Sequence, residues 1–247
     1  MLPCGAERKI VSETGKEFSR FGGKEKIKNL HDKNTHAIYN YLKFAKHLNL
    51  VAEEINITLP PSSRKNSRKI KKLLAKIPKD KPIIAFAPAT TWTSKHWDIQ
   101  NWKELAFRLS KNYTIIFTGT KHEIPLIEEI RENKYHSIAG ETNILELAEF
   151  YRNCNLLISV DNGSTHLAWA CQNIKIITIF CSTSPKRYAP IGTKNKYIAY
   201  SANLDCQYCH KRICSKKINK YGCTKLPSVD EIETSVKILL NESFINR

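Results

Sequence analysis

The stretch from Asn155 to Phe180 constrains the fold of this chain more than any other. It contains two apolar runs rich in β-branched residues, Leu156–Val160 and Ile174–Phe180. Such continuous runs are typical of parallel strands that are covered on both faces of a sheet. Between them, the sequence Asp161-Asn162-Gly163 predicts a tight turn whose Asn-Gly pair tolerates positive φ. Ser164–Cys171 then predicts a short helix, so we interpret the stretch as strand, turn, helix and strand of a parallel α/β sheet.

The start of that helix is a candidate anion-binding site. Ser164 and Thr165 stand in its first turn, and His166 follows as a further donor. Open α/β sheets bind ligands at the carboxyl ends of their strands, and a helix N-terminus there favours a phosphate. In the alternative interpretation, Asp161 or Ser164 only caps the helix, and His166 is a partly buried histidine with satisfied hydrogen bonds. The motif D-x-G-x-x-H is short, but turn, cap and histidine at one helix end favour the phosphate.

Strand and helix signals alternate from Pro82 onward. Strands alternating with helices of 9 to 12 residues are typical of a doubly wound parallel sheet, so residues 82 to 181 predict a Rossmann-like domain. The predicted strands are Ile83–Ala87, Tyr113–Thr118 and a short one near Ser137-Ile138, and the predicted helices run from about Ile99 to Ser110, Glu123 to Glu132 and Asn143 to Arg152.

The loop after the first of these strands gathers hydroxyl groups around one lysine. Thr90, Thr91 and Lys95 are the residue types that suit a cradle for diphosphate oxygens, because they offer hydrogen-bond donors and one positive charge. The alternative is an ordinary polar loop over which Trp92 and Trp97 pack as lids.

The loop after the second strand, Thr118–Glu123, ends in an acidic residue. Glu123 can accept hydrogen bonds from ribose hydroxyls, as acidic residues beside such strands do. It can equally interact with the helix dipole as an N-terminal carboxylate. The sequence leaves both roles open.

Charge and composition limit the partners and the compartment. Forty Lys and Arg residues against 23 Asp and Glu give a net charge of +17, which indicates either an anionic partner or a lysine-rich proteome. No apolar run approaches the roughly 20 residues of a membrane span, and the first ten residues lack the hydrophobic core of a signal peptide. The chain is therefore predicted to be cytoplasmic, with its eight cysteines reduced or metal-bound.

The first 81 residues carry weaker signals. Thr35–Leu48 predicts an amphipathic helix with Thr35 or Asn34 as its cap, and Pro60-Pro61-Ser62-Ser63 marks a boundary. Nine basic residues and one acidic residue follow between Arg64 and Lys81. They predict a helix with a solvated basic face, and docking of this face on phosphorylated lipid is the alternative.

Four cysteines lie close together near the end of the chain, at Cys206, Cys209, Cys214 and Cys223. Their spacing suits a tetrahedral zinc site. A reduced tail without metal is the alternative, and the sequence favours neither. A final amphipathic helix is predicted over Val229–Leu240.

Five segments, in this order and spacing, resemble the bacterial heptosyltransferases, glycosyltransferase family 9. They are Ala89–Trp97, Thr118–Glu123, Ala139–Ala148, Asp161–Ala168 and Ser184–Gly192. The resemblance implies a GT-B architecture, two Rossmann-like domains facing across a cleft, with no metal needed for the chemistry. It also implies transfer of heptose from ADP-heptose to the lipopolysaccharide inner core with inversion. The acceptor would be anionic lipid A–core, at the inner face of the cytoplasmic membrane.

The resemblance further implies roles for individual residues. Lys95 would stabilise the charge on the departing diphosphate, Asp161 would fix the turn, and Glu123 would hold the ribose. Asn162 stands where the family more often has Ser or Thr, and it keeps hydrogen bonding. The donor-binding residues implied in this way are Thr90, Thr91, Lys95, Glu123, Asp161, Asn162, Gly163, Ser164, Thr165 and His166.

The front of the chain departs from the family. About 60 residues precede the linker, whereas family members carry a complete N-terminal domain that supplies the general base. We assign no general base in this chain, because Glu7, Glu13, Glu17 and Asp32 are acidic but wrongly placed. We therefore expect either a truncated gene product or a second polypeptide that supplies the missing half.

The expected organisation has four parts. Residues 1–60 form a partial acceptor-side domain, 61–81 a basic linker and helix, 82–200 a Rossmann-like nucleotide-sugar-binding domain, and 201–247 the cysteine cluster with the C-terminal helix. Two alternatives to a heptosyltransferase remain at this point. One is a catalytically inactive nucleotide-sugar-binding fragment or subunit that needs a second chain. The other, a basic nucleic-acid binder with a zinc tail, ignores the three candidate phosphate loops, so no nucleic-acid partner is expected.

Overall fold

The computed structural model describes residues 10–12, 25–27, 32, 35–51, 55, 57–78, 80–191 and 197–241. The chain divides into two compact units, Met1–Ile55 with Lys186–Tyr188, and Asn56–Pro185 with Ala189–Arg247. The second unit contains the candidate phosphate loops. Five residues named above lie outside the described ranges: Glu7, Glu13, Glu17, Asn34 and Gly192.

In the first unit, the strands β1 (Ile10–Ser12) and β2 (Glu25–Ile27) pair in parallel, and helix α1 spans Ala37–His47. The cap of α1 is His36, whose Nδ1 accepts a hydrogen bond from the Ile38 N–H at 3.3 Å. The prediction of Thr35 as the cap was wrong. Its hydroxyl instead donates to a carboxylate oxygen of Asp32 at 2.6 Å, in the turn that precedes the helix.

Asp32 also organises the rest of this unit through its backbone carbonyl. The carbonyl accepts from Asn40 Nδ2 at 2.9 Å, and Asn40 is the buried side chain of α1. It accepts as well from Arg187 Nη1 at 3.0 Å. Because a buried amide is costly without a partner, this carbonyl fixes the register between α1 and the preceding segment.

The second unit is built on six parallel strands. They are β3 (Ile83–Ala87), β4 (Thr114–Phe117), β5 (His136–Ser137), β6 (Leu156–Val160), β7 (Lys175–Phe180) and β8 (Tyr197–Ser201). Their order across the sheet is β5-β4-β3-β6-β7-β8. The predicted bounds of β3 and β6 are confirmed, and β5 lies one residue earlier than predicted. In this order the winding reverses between β3 and β6, which makes their carboxyl ends the switch point of a doubly wound sheet.

Helices connect these strands and flank the sheet. Within this unit they are α2 (Arg64–Leu74), α3 (Ile99–Leu109), α4 (Ile124–Arg131), α5 (Ile144–Arg152), α6 (Gly163–Cys171) and α8 (Val229–Asn241). The short helix α7 (Pro185–Tyr188) contributes Lys186–Tyr188 to the first unit. The start of α5 follows from its sequence, since Asn143 and Glu146 form a reciprocal capping box. No helix among the described residues is long and apolar enough to cross a membrane.

Aromatic side chains fill the layer between β3, β4 and α3. The ring of Phe86 lies 5.1 Å from that of Trp102 and 5.3 Å from that of Phe117, and Trp97 packs edge-on against Trp102 at 5.1 Å. Trp97 is buried and its Nε1 donates to the Pro227 carbonyl at 2.9 Å. The interpretation of Trp97 as a lid over the polar loop was therefore wrong, because it belongs to the core.

The basic helix α2 lies against α5. Lys69 pairs with Glu146 at 2.7 Å, and Ser67 Oγ donates to Glu149 at 3.0 Å. The hydrogen bond from Lys69 lowers the pKa of Glu146, with a further contribution from the Asn143 backbone N–H. Ile70 is the buried side chain of this helix, so most of its cations face solvent, as a solvated basic helix requires.

The central strand β6 offers a test of how much the sheet depends on its buried face. Ile158 is fully buried in the main core cluster, whereas Ile144 is 68% exposed at the start of α5. We expect Ile158→Ala to lower the free energy of unfolding by about 2–5 kcal/mol, because it leaves a cavity. The matched change Ile144→Ala should stay within about 0.5 kcal/mol of the parent protein. Urea unfolding followed by circular dichroism measures both, and equal losses would contradict the assigned core.

Candidate phosphate-binding site at the sheet switch point

Two of the predicted loops meet at the carboxyl ends of β3 and β6. The loop after β3 contains Thr90, Thr91 and Lys95, and the turn after β6 contains Asp161 and the start of α6. Because the two strands are hydrogen-bonded neighbours, their following loops leave the sheet side by side. This is the place where doubly wound sheets bind ligands.

Asn162 joins the two loops. Its Nδ2 donates to the carbonyls of Ala87 at 3.1 Å and Ala89 at 2.9 Å, in the segment that leaves β3. Its Oδ1 accepts from the N–H groups of Ser164 at 3.0 Å and Thr165 at 3.4 Å. Asn162 is therefore the N-cap of α6, and the alternative interpretation that named Asp161 or Ser164 as the cap was wrong. One amide side chain ties the helix start to the neighbouring loop.

The first turn of α6 is partly closed to an anion. The Ser164 and Thr165 N–H groups already face Asn162 Oδ1. The Thr165 hydroxyl is buried between Ser159 Oγ at 2.7 Å and Thr178 Oγ1 at 3.2 Å, so it holds α6 to the sheet. What this turn still offers a ligand is the surface around Gly163.

Gly163 presents an open stretch of backbone. A Cβ placed on it would meet nothing within 4 Å, so packing inside the protein does not require a glycine here. The backbone conformation does not require a glycine here either, because Gly140, not Gly163, is the described glycine with a positive φ. The Asn162-Gly163 turn therefore does not adopt the positive φ that its sequence tolerates. An absent side chain over open space lets another molecule approach the backbone closely.

Lys95 and Asp161 form the electrostatic centre of the site. Lys95 Nζ lies 2.8 Å from Asp161 Oδ2, and both side chains are largely buried. The Thr183 hydroxyl donates to the same carboxylate oxygen at 2.6 Å. Lys95 Nζ also lies 4.7 Å from the centre of the half-buried Trp92 ring. Because an ammonium group has three donors, Lys95 can keep Asp161 and still donate to an anion.

The remaining predicted residues of the two loops differ in exposure. His166 is exposed on α6, with its ring 6.1 Å from that of Trp169. Thr91 is exposed and Thr90 is half-buried. The Thr90 carbonyl bonds to His96 Nε2 at 2.7 Å, which folds the loop back on itself. His166 and the two threonines are accessible from solvent, as ligand donors must be.

Glu123 has a local role in the structure. Its Oε2 accepts from the Thr120 N–H at 2.7 Å, and together with the Thr120 side chain it forms a capping box ahead of α4. This is the helix-terminus interaction that the sequence offered as one of two roles. Glu123 remains half-buried, so its second carboxylate oxygen is the atom that a ribose would have to reach.

Sequence reasoning missed two contributors. Thr183, three residues after the end of β7, donates its hydroxyl hydrogen bond to Asp161. A hydroxyl residue shortly after a third predicted strand was the sequence pattern that could have indicated this contact. Arg212 lies 118 residues from Ser94 in sequence, but its carbonyl accepts from the Ser94 N–H at 3.2 Å and its guanidinium lies 5.5 Å from the Trp92 ring. No local pattern predicts that contact.

The four tail cysteines line one cavity of about 240 Å³ together with Ser94 and Cys181. Within the described ranges, no group of three or more His, Cys, Asp or Glu side chains is arranged to hold a metal ion. The thiols differ in acidity. N–H groups of Tyr221 and Lys216 lower the pKa of Cys214, whereas burial raises that of Cys223 to about 11.

A comparison with a second helix cap can separate the two roles of Asn162, which caps α6 and also bonds to the segment that leaves β3. Asn143 caps α5 in the same way, accepting from Leu145 and Glu146 N–H groups, but the described contacts of its side chain do not reach the β3 loop. We expect Asn143→Ala to cost about 1 kcal/mol of unfolding free energy. Asn162→Ala should cost about 2–3 kcal/mol, because two hydrogen bonds to carbonyls are also lost. Equal losses in urea unfolding would mean that Asn162 is only a cap.

The difference between the tail thiols predicts their reactivity. We expect iodoacetamide to alkylate Cys214 faster than Cys223 near neutral pH, since the thiolate is the nucleophile and a lower pKa populates it. Mass spectrometry of tryptic peptides over a pH series measures both rates, and equal profiles would refute the assignment. Repeating the labelling with a chelator separates the two states of the tail: reduced thiols react equally in both series, whereas metal-bound thiols react only after chelation.

Comparison with known proteins places this chain in a family. A lipooligosaccharide heptosyltransferase 2 of Haemophilus influenzae is 29% identical over 124 residues, which are 47% of this chain and 36% of that protein. The structure of a glycosyltransferase family 9 protein from Veillonella parvula matches 89% of this chain and 64% of its own, at 18% identity and a TM-score of 0.71. E. coli heptosyltransferase WaaC with ADP matches 88% of this chain and 60% of its own, at 18% identity and a TM-score of 0.56.

These similarities confirm the predicted α/β fold of GT-B type for the part of the chain that they cover. The chain spans less than two thirds of each of these three proteins. The family model described as glycosyltransferase family 9 (heptosyltransferase) matches residues 13 to 219. Since that match covers more than half of the sequence, the chain belongs to glycosyltransferase family 9.

Proposed function

We propose that the switch-point site binds the diphosphate of an ADP-sugar, and that this chain supplies the donor side of a heptosyltransferase. The reaction would move heptose from ADP-heptose to the lipopolysaccharide inner core with inversion. The observation that carries the proposal is the Lys95–Asp161 pair at 2.8 Å beside the open backbone of Gly163. Family membership supports the reaction class, and the structure of WaaC with ADP supports the type of nucleotide.

The proposed site works mainly by electrostatics. As the bond between the sugar and the diphosphate breaks, negative charge grows on the leaving phosphate oxygens. Lys95 is held in place by Asp161 and Trp92, so it needs little reorganisation to stabilise that charge. Donors from His166 and the Thr90–Thr91 segment would complete the cradle, and the free oxygen of Glu123 would accept from the ribose. The proposal uses no metal for this step and assigns no general base.

None of the site residues described above is assigned to the acceptor. We propose residues 82 to 200 as the donor-binding domain, acting on anionic lipid A–core at the inner face of the cytoplasmic membrane. The net charge of +17 supports an anionic acceptor. An activity assay with a lipid A–core acceptor tests whether this chain acts alone or needs a second chain for its acceptor half.

Calorimetric titration with ADP tests the role of the cation. We expect Lys95→Ala to weaken ADP binding about tenfold to a hundredfold, since a hydrogen bond to a charged group contributes about 1.5–3 kcal/mol. His166→Ala should weaken it by a smaller factor. Lys111→Ala is the matched control, because Lys111 lies over the Phe107 ring rather than in the site. The Lys111→Ala variant should bind ADP with the affinity of the parent protein. If folded parent protein binds no ADP, the proposal is wrong.

Gly163→Ala tests the close approach of the phosphate without disturbing the ion pair. The added methyl group meets no protein atom within 4 Å, and alanine suits the first turn of a helix, so the melting temperature should not fall. Affinity for ADP should fall at least tenfold, because the methyl group would occupy the space of a phosphate oxygen. An unchanged affinity would place the diphosphate elsewhere.

A further inference from the structure

A second surface of the same unit has a composition that the donor site does not explain. We call residues 206–225 the tail loop. It contains two strongly exposed isoleucines, Ile213 at 64% and Ile218 at 86%. Single exposed apolar side chains are common on protein surfaces. Two branched aliphatic side chains within six residues, both directed away from the protein, form a small apolar tip instead.

Cations surround this apolar tip. Between Cys206 and Ser228 the sequence has no acidic residue. Five basic side chains that flank the isoleucines or lie between them are exposed, and none of them forms an ion pair with another described residue: Lys211, Arg212, Lys216, Lys217 and Lys220. Their charge is therefore available to an external anionic surface.

The other basic surface, helix α2, lacks this combination. Lys69 of α2 is paired with Glu146. No large apolar side chain of α2 is exposed, since Leu73 and Leu74 are half-buried and Ile70 is buried. Cations alone are solvated well by water, whereas a surface that combines cations with exposed aliphatic side chains matches the interface of an anionic bilayer.

The inner side of the tail loop is fixed to the donor-binding unit. Ser94 donates to the carbonyls of Lys211 and Arg212, and the Asp98 N–H donates to the Thr224 carbonyl at 2.8 Å. The His210 N–H donates to the Ser182 carbonyl at 2.9 Å. These contacts hold the backbone of the loop, so the isoleucines need no ordering of the chain before they can insert. They also place the loop next to the segment that carries Lys95.

We propose that the tail loop docks the chain on an anionic bilayer, with Ile213 and Ile218 inserted among the lipids and the surrounding cations on the headgroups. The inference rests on the proposed function, because a membrane beside the Lys95 segment would present a lipid-anchored acceptor near the donor. Burial of the two aliphatic side chains supplies apolar attraction. Each lysine or arginine near the surface strengthens binding to anionic lipid about fivefold.

Co-sedimentation with vesicles tests the docking surface. The parent protein should bind phosphatidylglycerol-containing vesicles and bind pure phosphatidylcholine vesicles much more weakly. Ile213→Ser with Ile218→Ser should reduce binding about tenfold or more, and Lys216→Ala with Lys217→Ala about twenty-five-fold. Matched controls are Ile144→Ser with Ile238→Ser, two exposed isoleucines on α5 and α8, and Lys71→Ala with Lys72→Ala on α2.

The isoleucine controls should bind vesicles as the parent protein does, and the α2 pair should lose less than the tail-loop pair. Equal losses for the two lysine pairs would show unspecific attraction by net charge and overturn the proposal. Full binding by the tail-loop isoleucine variant would overturn it as well. Size-exclusion chromatography adds one more outcome: a parent dimer that the isoleucine variant dissociates would make the tip a self-association surface instead.

ADP titration of the same variants separates this proposal from the proposed function. The isoleucine variant should bind ADP as tightly as the parent protein, because neither side chain belongs to the donor site. A parent protein that binds ADP but binds phosphatidylglycerol-containing and pure phosphatidylcholine vesicles equally would defeat the docking surface and leave the donor site standing. Selective vesicle binding by a protein that fails to bind ADP would defeat the donor site, while the docking surface would stand on the lipid data.

Discussion

The hydrogen-bonded pairing of β3, β6 and β7 decides the position of everything else in the larger unit. The three strands are parallel and buried on both faces, so each must be followed by a crossover that starts at the same edge of the sheet. That edge receives Lys95 from the loop after β3, Asp161 from the turn after β6 and Thr183 from the segment after β7. Three residues far apart in sequence thus meet at one carboxylate because of the direction of the strands.

The ion pair at this edge would allow a largely buried lysine to bind an anion in the proposed donor site. An unpaired buried charge is strongly unfavourable, and Asp161 prevents that for Lys95 in the absence of ligand. In the proposed donor site, Thr183 would keep a hydrogen-bond donor on Asp161 when Lys95 turns part of its hydrogen bonding toward a phosphate. The arrangement balances charge without a ligand and offers a positioned cation with one. A lysine fully exposed on a loop would hold its charge in water but would be less well positioned.

Sequence patterns predicted the elements here better than the contacts between them. The apolar runs at β3 and β6 fixed their bounds, because a strand buried on both faces leaves a continuous signal. The cap of α6 was missed because Asp161, Asn162 and Ser164 are all good caps by type. What selects Asn162 is a pair of carbonyls on another strand end, at Ala87 and Ala89, and local sequence carries no information about them. Trp97 was misplaced for the same reason, since its partner is the Pro227 carbonyl.

In the tail loop, the sequence motif consists of cysteine side chains, whereas the contacts that attach the loop are made by other atoms. The spacing of Cys206, Cys209, Cys214 and Cys223 indicates thiol chemistry, but the contacts that attach this segment to the loop after β3 are made by backbone carbonyls and by Ser94. The carbonyls of Lys211 and Arg212 accept hydrogen bonds from Ser94, while the side chains of the same two residues face solvent. Their charge near the site is a consequence of how the backbone is anchored. The position of the exposed cations and the fixed loop are therefore two results of one set of hydrogen bonds.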